Sequence, residues 1–330
     1  MPCLENNARQ GIIIIRMEHH PPNAWYRNVH GNTMKTSRKT DYAFLLPAVV
    51  VVAIMTQVPF LLTIIFSTLR WNLSRPDLPR LFVNIQNYWH FFKIESFSEI
   101  PEFYSILWQT ILITGTTLAL CSILGFLLAL LLDNEIPGVN IARTLMLGPF
   151  FVMSTASGVI WKTTIFNTTF GWYGVMAKAL GFTPVDLVSY HPIGVIIVLF
   201  TWQWMPFFIL VLLSGLQGIP QELVDSMRID GVNWFQGVFK IKLPLIMNHM
   251  KVAIMLGLVF LIKEFGLILV TTAGGPGIRS YTLPYAVYMQ VFSANNIGRA
   301  SALAVITVVL TLILVNLLYR SILKQNKKYS

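Results

Sequence analysis

Lys263 and Glu264 stand side by side in a stretch, residues 252–272, that is otherwise apolar. An ionised side chain deep in hydrocarbon costs about 2.5–3.5 kcal/mol, so such a group normally faces a polar interior or a partner. A carboxylate there accepts hydrogen bonds from hydroxyl groups, and an ammonium donates them. General acid–base or metal chemistry would need a cluster of His, Asp, Glu or Cys, yet Glu264 is the only clear acid within the apolar runs. His191, His249 and the His19-His20 pair lack ligand spacing, and Cys3 and Cys121 offer neither a disulfide framework nor a metal motif. No G-x-x-x-x-G-K-[ST] loop is present to cradle a nucleotide phosphate. Two readings fit the Lys-Glu pair. Consecutive helical residues point about 100° apart, so Glu264 can line a cavity while Lys263 turns to another helix or the outer boundary; alternatively, both pair with neighbouring helices. Lys162, near the end of another apolar run, reads as a snorkelling side chain.

A second polar feature is PQELVDSMRIDGVNWFQGVFKIKLP, Pro220 to Pro244, in a chain only 12% charged. Pro220 suits the first turn of a helix, with Glu222 and Asp225 near the end where carboxylates complement the dipole. Gly231, able to take positive φ cheaply, should end that helix, and a second should run from about Asn233 to Lys242. Met227, Ile229, Val232, Phe235, Val238 and Ile241 would form the apolar part of an exposed knob suited to a partner's cleft. On residue types alone, a solvated connector fits equally well.

The elements that must position these groups follow from composition. The 330 residues are 55% hydrophobic with a mean hydropathy of +0.64, and the formal charge is +10. Six candidate spans lie at about 43–67, 106–132, 144–166, 193–216, 252–272 and 300–319; each is long enough to cross roughly 30 Å of hydrocarbon. This is the pattern of an all-α membrane protein with a helix-turn-helix loop, residues 217–249, between the fourth and fifth spans. The third span, diluted by Ser154, Thr155, Ser157, Gly158, Lys162 and Thr163, belongs inside a bundle rather than against lipid. Residues 1–42 read as a polar, disordered cytoplasmic leader, with Met17 and Met34 as alternative starts, and 320–330 as a basic cytoplasmic tail. With the N-terminus inside, inner segments carry fifteen Lys and Arg and outer loops seven, so both termini are expected in the cytoplasm. That bias explains the basic composition as topology rather than nucleic-acid binding.

The Pro220–Pro244 passage resembles the cytoplasmic signature of ABC-importer membrane subunits, E-A-A, three residues, G, nine residues, I-x-L-P. Asp225-Ser226-Met227 stand at the E-A-A positions, Asp230-Gly231 at the D-G, and Ile241, Leu243 and Pro244 at the tail. Asp replaces Glu, Ser-Met replaces Ala-Ala, and Val232 and Val238 stand where alanine and phenylalanine are usual; the turn and the spacing are kept. NIQNYWHFF, PFFVMSTASGVIW, WQWMPFFILVLLSGLQGIPQEL and KEFGLILVTTAGGPG, in that order from about Asp41 onward, resemble carbohydrate importers of the maltose type, in wording closest to sorbitol and mannitol permeases.

The resemblance implies a cytoplasmic-membrane subunit that binds no cofactor itself. It implies pairing with a second permease, two ATP-binding subunits that consume ATP, and an extracellular or periplasmic binding protein. Glu222, Asp225, Ser226, Met227, Asp230, Gly231, Ile241 and Pro244 would then couple to the ATPase. Phe150, Ser154, Gln203, Trp204, Phe207, Phe260 and Glu264 match positions that contact substrate in maltose-type permeases, and stacked aromatics with a few directed hydrogen bonds suit sugars and polyols. Trp202 and Trp204 also read as packing residues. The segment Thr271–Gly298 should hold turns and then an apolar-aromatic helix at the outer mouth, and the aromatics of 68–105 either form an interfacial helix or anchor at headgroups. A stand-alone carrier would call for related halves, which are not evident, and a membrane-embedded enzyme for an acid or His cluster.

Overall fold

The computed structural model describes residues 38–77, 79–92, 100–134 and 137–329. The expected leader, 1–42, lies outside these apart from its last few positions. The chain falls into two compact units, one ending at Pro59 and the other running Phe60–Ser330. The boundary lies within α1, Arg38–Ser67. The described part of the first unit is this helix alone, with Leu45, Val49, Val51, Val52 and Met55 exposed, a surface suited to lipid.

The second unit continues with β1 (Leu69–Arg70) and β2 (Leu81–Phe82), an antiparallel pair, and α2 (Gln86–Phe92). The long apolar helices are α3 (Ile100–Leu132), α7 (Pro192–Gln217) and α12 (Ile297–Tyr329). Between α3 and α7 lie α4 (Val139–Met146), α5 (Gly148–Phe151) and α6 (Ser154–Ile160), the last continuing as a π-helical turn to Ile165. After α7 come α8 (Gln221–Ile229), α9 (Met247–Leu261), α10 (Gly266–Thr271) and α11 (Leu283–Phe292). Among the described residues, four helices are long and apolar enough to span a membrane, or up to six if each bent pair counts as one span.

The core is the seam between α3 and α7, which pack along their length, with α9 closing a third side. Phe208, Leu212, Leu199 and Ile196 of α7 are fully buried there. Gly125 makes the close approach possible: a Cβ at that position would lie 2.8 Å from Phe208 Cβ. Without hydrophobic drive between helices in lipid, such small-residue contacts allow the dispersion packing that holds spans together. A smaller cluster joins Phe91, Phe103 and Leu303, and the Leu283 amide donates to Thr110 Oγ1 at 3.0 Å, tying α11 to α3.

Several expected elements differ. The third span is broken: Val139–Phe151 and Ser154–Ile165 meet at 98°, because Val152 and Met153 are extended. The fifth is also interrupted, since α9 stops at Leu261 and helix resumes only at Gly266. Pro220 caps α8 rather than opening its first turn. The second helix of the loop continues beyond Lys242, through a π-helical turn at Gly237–Lys242 and on to Leu245, and meets α9 at 63°. The basic 320–330 segment continues α12 as helix to Tyr329.

Candidate functional site

The break in the third span exposes backbone that no helix can satisfy, and an α7 side chain takes up the task. Gln203, buried in α7, donates from Nε2 to the Val152 carbonyl oxygen at 2.8 Å and to Ser154 Oγ at 3.3 Å. Proline at 149 and the extended pair Val152-Met153 turn the chain; Gln203 then clamps the freed carbonyl, as broken backbone at membrane depth requires. Gln203 Oε1 remains buried without a hydrogen-bond partner among the described residues, as do Thr155 Oγ1 and Trp204 Nε1.

Around this clamp the expected aromatics converge. Phe150 and Phe207 stack at 5.9 Å and 21°, Trp204 meets Phe150 edge-on at 5.6 Å, and Trp204 stacks on Phe260 at 5.4 Å and 26°. Phe150, Ser154, Trp204 and Phe207 are half-buried, and Phe260 is 40% exposed. Trp204 is thus both a packing residue and the hub joining α5, α7 and α9. Trp202 points elsewhere, edge-on to Trp161 at 5.4 Å.

Glu264 sits in the second break rather than on a helix, so the expected 100° separation from Lys263 does not apply. Its Oε1 accepts from the Gly266 amide at 2.9 Å, capping α10, and the residue is half-buried. Lys263 is exposed, with Nζ over the Phe260 ring at 4.7 Å, a cation–π contact that joins the second break to the aromatic cluster. Lys162 does not simply snorkel: Nζ donates to the Val270 carbonyl at 3.2 Å, linking the half-helices beyond the two breaks, and α6 packs along α10. Of the expected site residues, Phe150, Trp204, Phe207 and Phe260 form one ring network, Gln203 and Ser154 form a hydrogen-bonded pair adjoining it in sequence, and Glu264 lies in the second break. Thr155 and the Val152 carbonyl were not anticipated; proline in a polar, serine-rich span was the available signal of a break.

In the polar clause, α8 ends in a Schellman turn. Gly231 has φ +67°, its amide donates to Arg228 O at 3.3 Å, and the Val232 amide donates to Met227 O at 3.1 Å. Asn233 Oδ1 then caps the next turn, accepting from the Gln236 amide at 2.9 Å. Asp225 is held within its own helix, 3.7 Å from Arg228 and accepting from Gln221 at 3.2 Å, while Ser226 Oγ donates to Leu223 O. Glu222, Asp225, Ser226 and Asp230 are exposed, and so is Pro244.

The expected apolar face needs correction. Met227 is buried and Val232 half-buried beside Gly237 in the turn, Val238 is buried in the main core cluster, and Ile241 is half-buried. Ile229, Trp234, Phe235 and Phe239 are the exposed apolar surface, with Trp234 and Phe235 edge-on at 4.9 Å. At the end of the clause Lys242 Nζ lies 3.0 Å from Asp133 Oδ2, just past α3, and Arg143 Nη2 donates to the Leu132 carbonyl. Cations at a helix C-terminus complement its dipole. Asp133 was not singled out from sequence, since its partner lies 109 positions away.

In the Thr271–Gly298 segment, Ala273, Gly274 and Gly277 take positive φ, and α11 follows. Burial, with the Glu102 carboxylate adding to it, pushes the Tyr281 phenol above its ordinary range, so it stays a neutral donor.

Residues 37–327 match the family model described as binding-protein-dependent transport system inner membrane component. The chain is 29% identical to the trehalose/maltose transport system permease protein MalF of Thermococcus litoralis, over 83% of this chain and 90% of that one. It is 28% identical to the probable ABC transporter permease protein y4oQ of Sinorhizobium fredii, over 82% and 85%. A bacterial alginate ABC transporter, solved with an alginate pentasaccharide-bound periplasmic protein, has a chain of the same fold, with TM-score 0.68 at 19% identity, covering 84% of this chain and 91% of that one. The chain belongs to the inner membrane components of binding-protein-dependent transport systems: it is a non-catalytic permease subunit of an ABC transporter, and partner ATPases hydrolyse the ATP.

Proposed function

We propose that this chain forms half of the path through an importer of neutral, hydroxyl-rich cargo, a sugar or sugar alcohol. The observation that carries this reading is the aromatic cluster set between two helix breaks, Val152-Met153 and 262–265, with buried polar atoms beside it that have no partner among the described residues. Discontinuous spans recur where transporters hold cargo at membrane depth. Ring faces of Trp204 and Phe150 suit the C–H side of a saccharide, Trp204 Nε1 supplies a donor, and Gln203 Oε1 supplies an acceptor. Lys263 and Glu264 bring opposite charges to the second break, so the lining favours neutral over anionic cargo.

The similarity to a trehalose/maltose permease supports carbohydrate as the class. The wording shared with sorbitol and mannitol permeases supports a polyol within it, with another sugar or oligosaccharide as the alternative. In this reading both termini and the 220–244 clause face the cytoplasm. The exposed Ile229, Trp234, Phe235 and Phe239, with Asp225 and Asp230 beside them, seat in a groove of an ATP-binding subunit. A second permease completes the path, a second ATP-binding subunit serves it, and an external binding protein delivers the cargo.

The test is uptake by the reconstituted complex with its cognate binding protein, across a panel of neutral sugars, polyols and anionic saccharides. Saturable uptake of a neutral sugar or polyol is expected. Uptake of anionic saccharides alone would overturn the cargo assignment.

A further inference from the structure

We infer that a cavity on the unit formed by β1, α2 and the start of α12 is a binding site for a phosphate-bearing anion. The cavity is about 370 Å³ and is lined by Arg70, Arg75 and Arg299 together with Asn72, Gln86 and Asn296. No Asp or Glu is among the described residues that line it. None of the three guanidiniums pairs with a carboxylate among the described residues. Among the described residues, the Arg70 guanidinium hydrogen-bonds the Gln86 side chain, Nη2 to Oε1 at 3.4 Å. Three guanidiniums sharing one small cavity repel one another, and an anion placed between them removes that cost. Guanidinium forks match phosphate oxygens in pairs, and the neighbouring amides can bond the ester or glycerol oxygens around it.

The frame is fixed before any ligand arrives. Asn72 pairs with Asn296, the Leu73 amide donates to Asn295 O at 2.7 Å, and the Gly298 amide donates to Trp71 O at 3.2 Å. Asn87, buried beneath, donates to the Ser67 and Leu69 carbonyls at 2.8 and 2.9 Å. Arg80 is drawn away over the Trp71 ring, 4.2 Å from its centroid.

Position narrows the ligand. Arg70 follows closely on the apolar stretch Leu45–Ser67, and Arg299 lies in the first turn of the apolar stretch Ile297–Arg320. The cavity therefore opens where two candidate spans leave the hydrocarbon, with Trp89 and Phe92 exposed nearby, as aromatics are at headgroup level. The phosphate can come from a phospholipid headgroup or from solution, and two arms of one experiment separate the sources.

The assembled transporter, stripped of lipid in mild detergent, is titrated with phosphatidylglycerol or phosphatidylcholine, and bound lipid is counted by native mass spectrometry. In parallel, inorganic phosphate is tested as a competitor against chloride at equal ionic strength. Wild type should hold one phosphatidylglycerol about tenfold more tightly than the Arg75→Gln/Arg299→Gln variant, the loss expected for two charge-assisted contacts. Arg75→Gln alone, at an exposed side chain that the fold does not need, should lose part of that affinity with assembly unchanged. Arg279→Gln, outside the cavity, should match wild type. Displacement by millimolar phosphate but not chloride would assign the site to soluble phosphate and its esters; no displacement, with phosphatidylglycerol bound, would assign it to lipid. Equal binding of phosphatidylglycerol by wild type and both cavity variants, with no effect of phosphate, would overturn the inference.

Discussion

Lys242 Nζ lies 3.0 Å from Asp133 Oδ2, with only 22% and 18% of the two side chains exposed, and the pair joins the end of the polar clause to the end of α3. Because α3 packs along α7, which carries Gln203 and Trp204, a push on the clause has a short mechanical route to the aromatic cluster. Removing one partner of a largely desolvated pair leaves an uncompensated charge, at a cost of about 1–3 kcal/mol here. Asp133→Lys and Lys242→Asp should each cut binding-protein-stimulated ATP hydrolysis and uptake about tenfold. The double exchange should recover much of both. Failure of the exchange to recover coupling, with normal assembly, would reduce the pair to a local contact.

Gly231 should tolerate no β-branched residue. At φ +67° such a side chain costs about 1–2 kcal/mol, and the Schellman turn that orients Trp234 and Phe235 would open. Gly231→Val should reach the membrane at wild-type amount but co-purify less ATPase. Pull-down of the ATP-binding subunit against wild type measures this; equal recovery would mean that the turn geometry does not matter for docking.

Gln203 holds the first break together, so its loss should be read in stability as well as in transport. Gln203→Leu removes the bond to the Val152 carbonyl and should destabilise the purified complex by about 1–3 kcal/mol, visible as a lower melting temperature. An unchanged melting curve would show that the break is held by other contacts.

Orientation is checked by fusion reporters active only in the cytoplasm. Fusions after Lys242 and after Lys328 should be active and one near Gly277 silent, if the side richer in Lys and Arg is the cytoplasmic one. The opposite result at Lys242 would contradict the coupling scheme.

The apolar runs made the membrane fold readable directly, because hydrophobic length is a local property of the chain. The turn at Gly231 was readable for the same reason: a glycine between two amphipathic segments marks a positive φ. What escaped were consequences of packing. Proline at 149 hinted at a bend, but a 98° break also needs Gln203 to bond the freed carbonyl, and that partner lies 51 positions away. Glu264 was assigned a helical direction although it sits in a non-helical gap. Met227 turned inward beside Val232 and Gly237, and Val238 inward to join the main core, leaving Trp234 and Phe239 to face out.

The central claim, that a neutral hydroxylated cargo is handled at the aromatic cluster, is tested most directly at Trp204, which stacks on Phe260 and keeps a buried Nε1 donor with no partner among the described residues. Uptake by the reconstituted complex is measured against cargo concentration for wild type, Trp204→Phe and Trp204→Ala, with assembly and basal ATP hydrolysis as controls. Trp204→Phe keeps the ring stack but loses the donor, so the half-saturating cargo concentration should rise about tenfold; Trp204→Ala should abolish measurable uptake. Wild-type uptake curves for both variants, at normal assembly, would contradict the account.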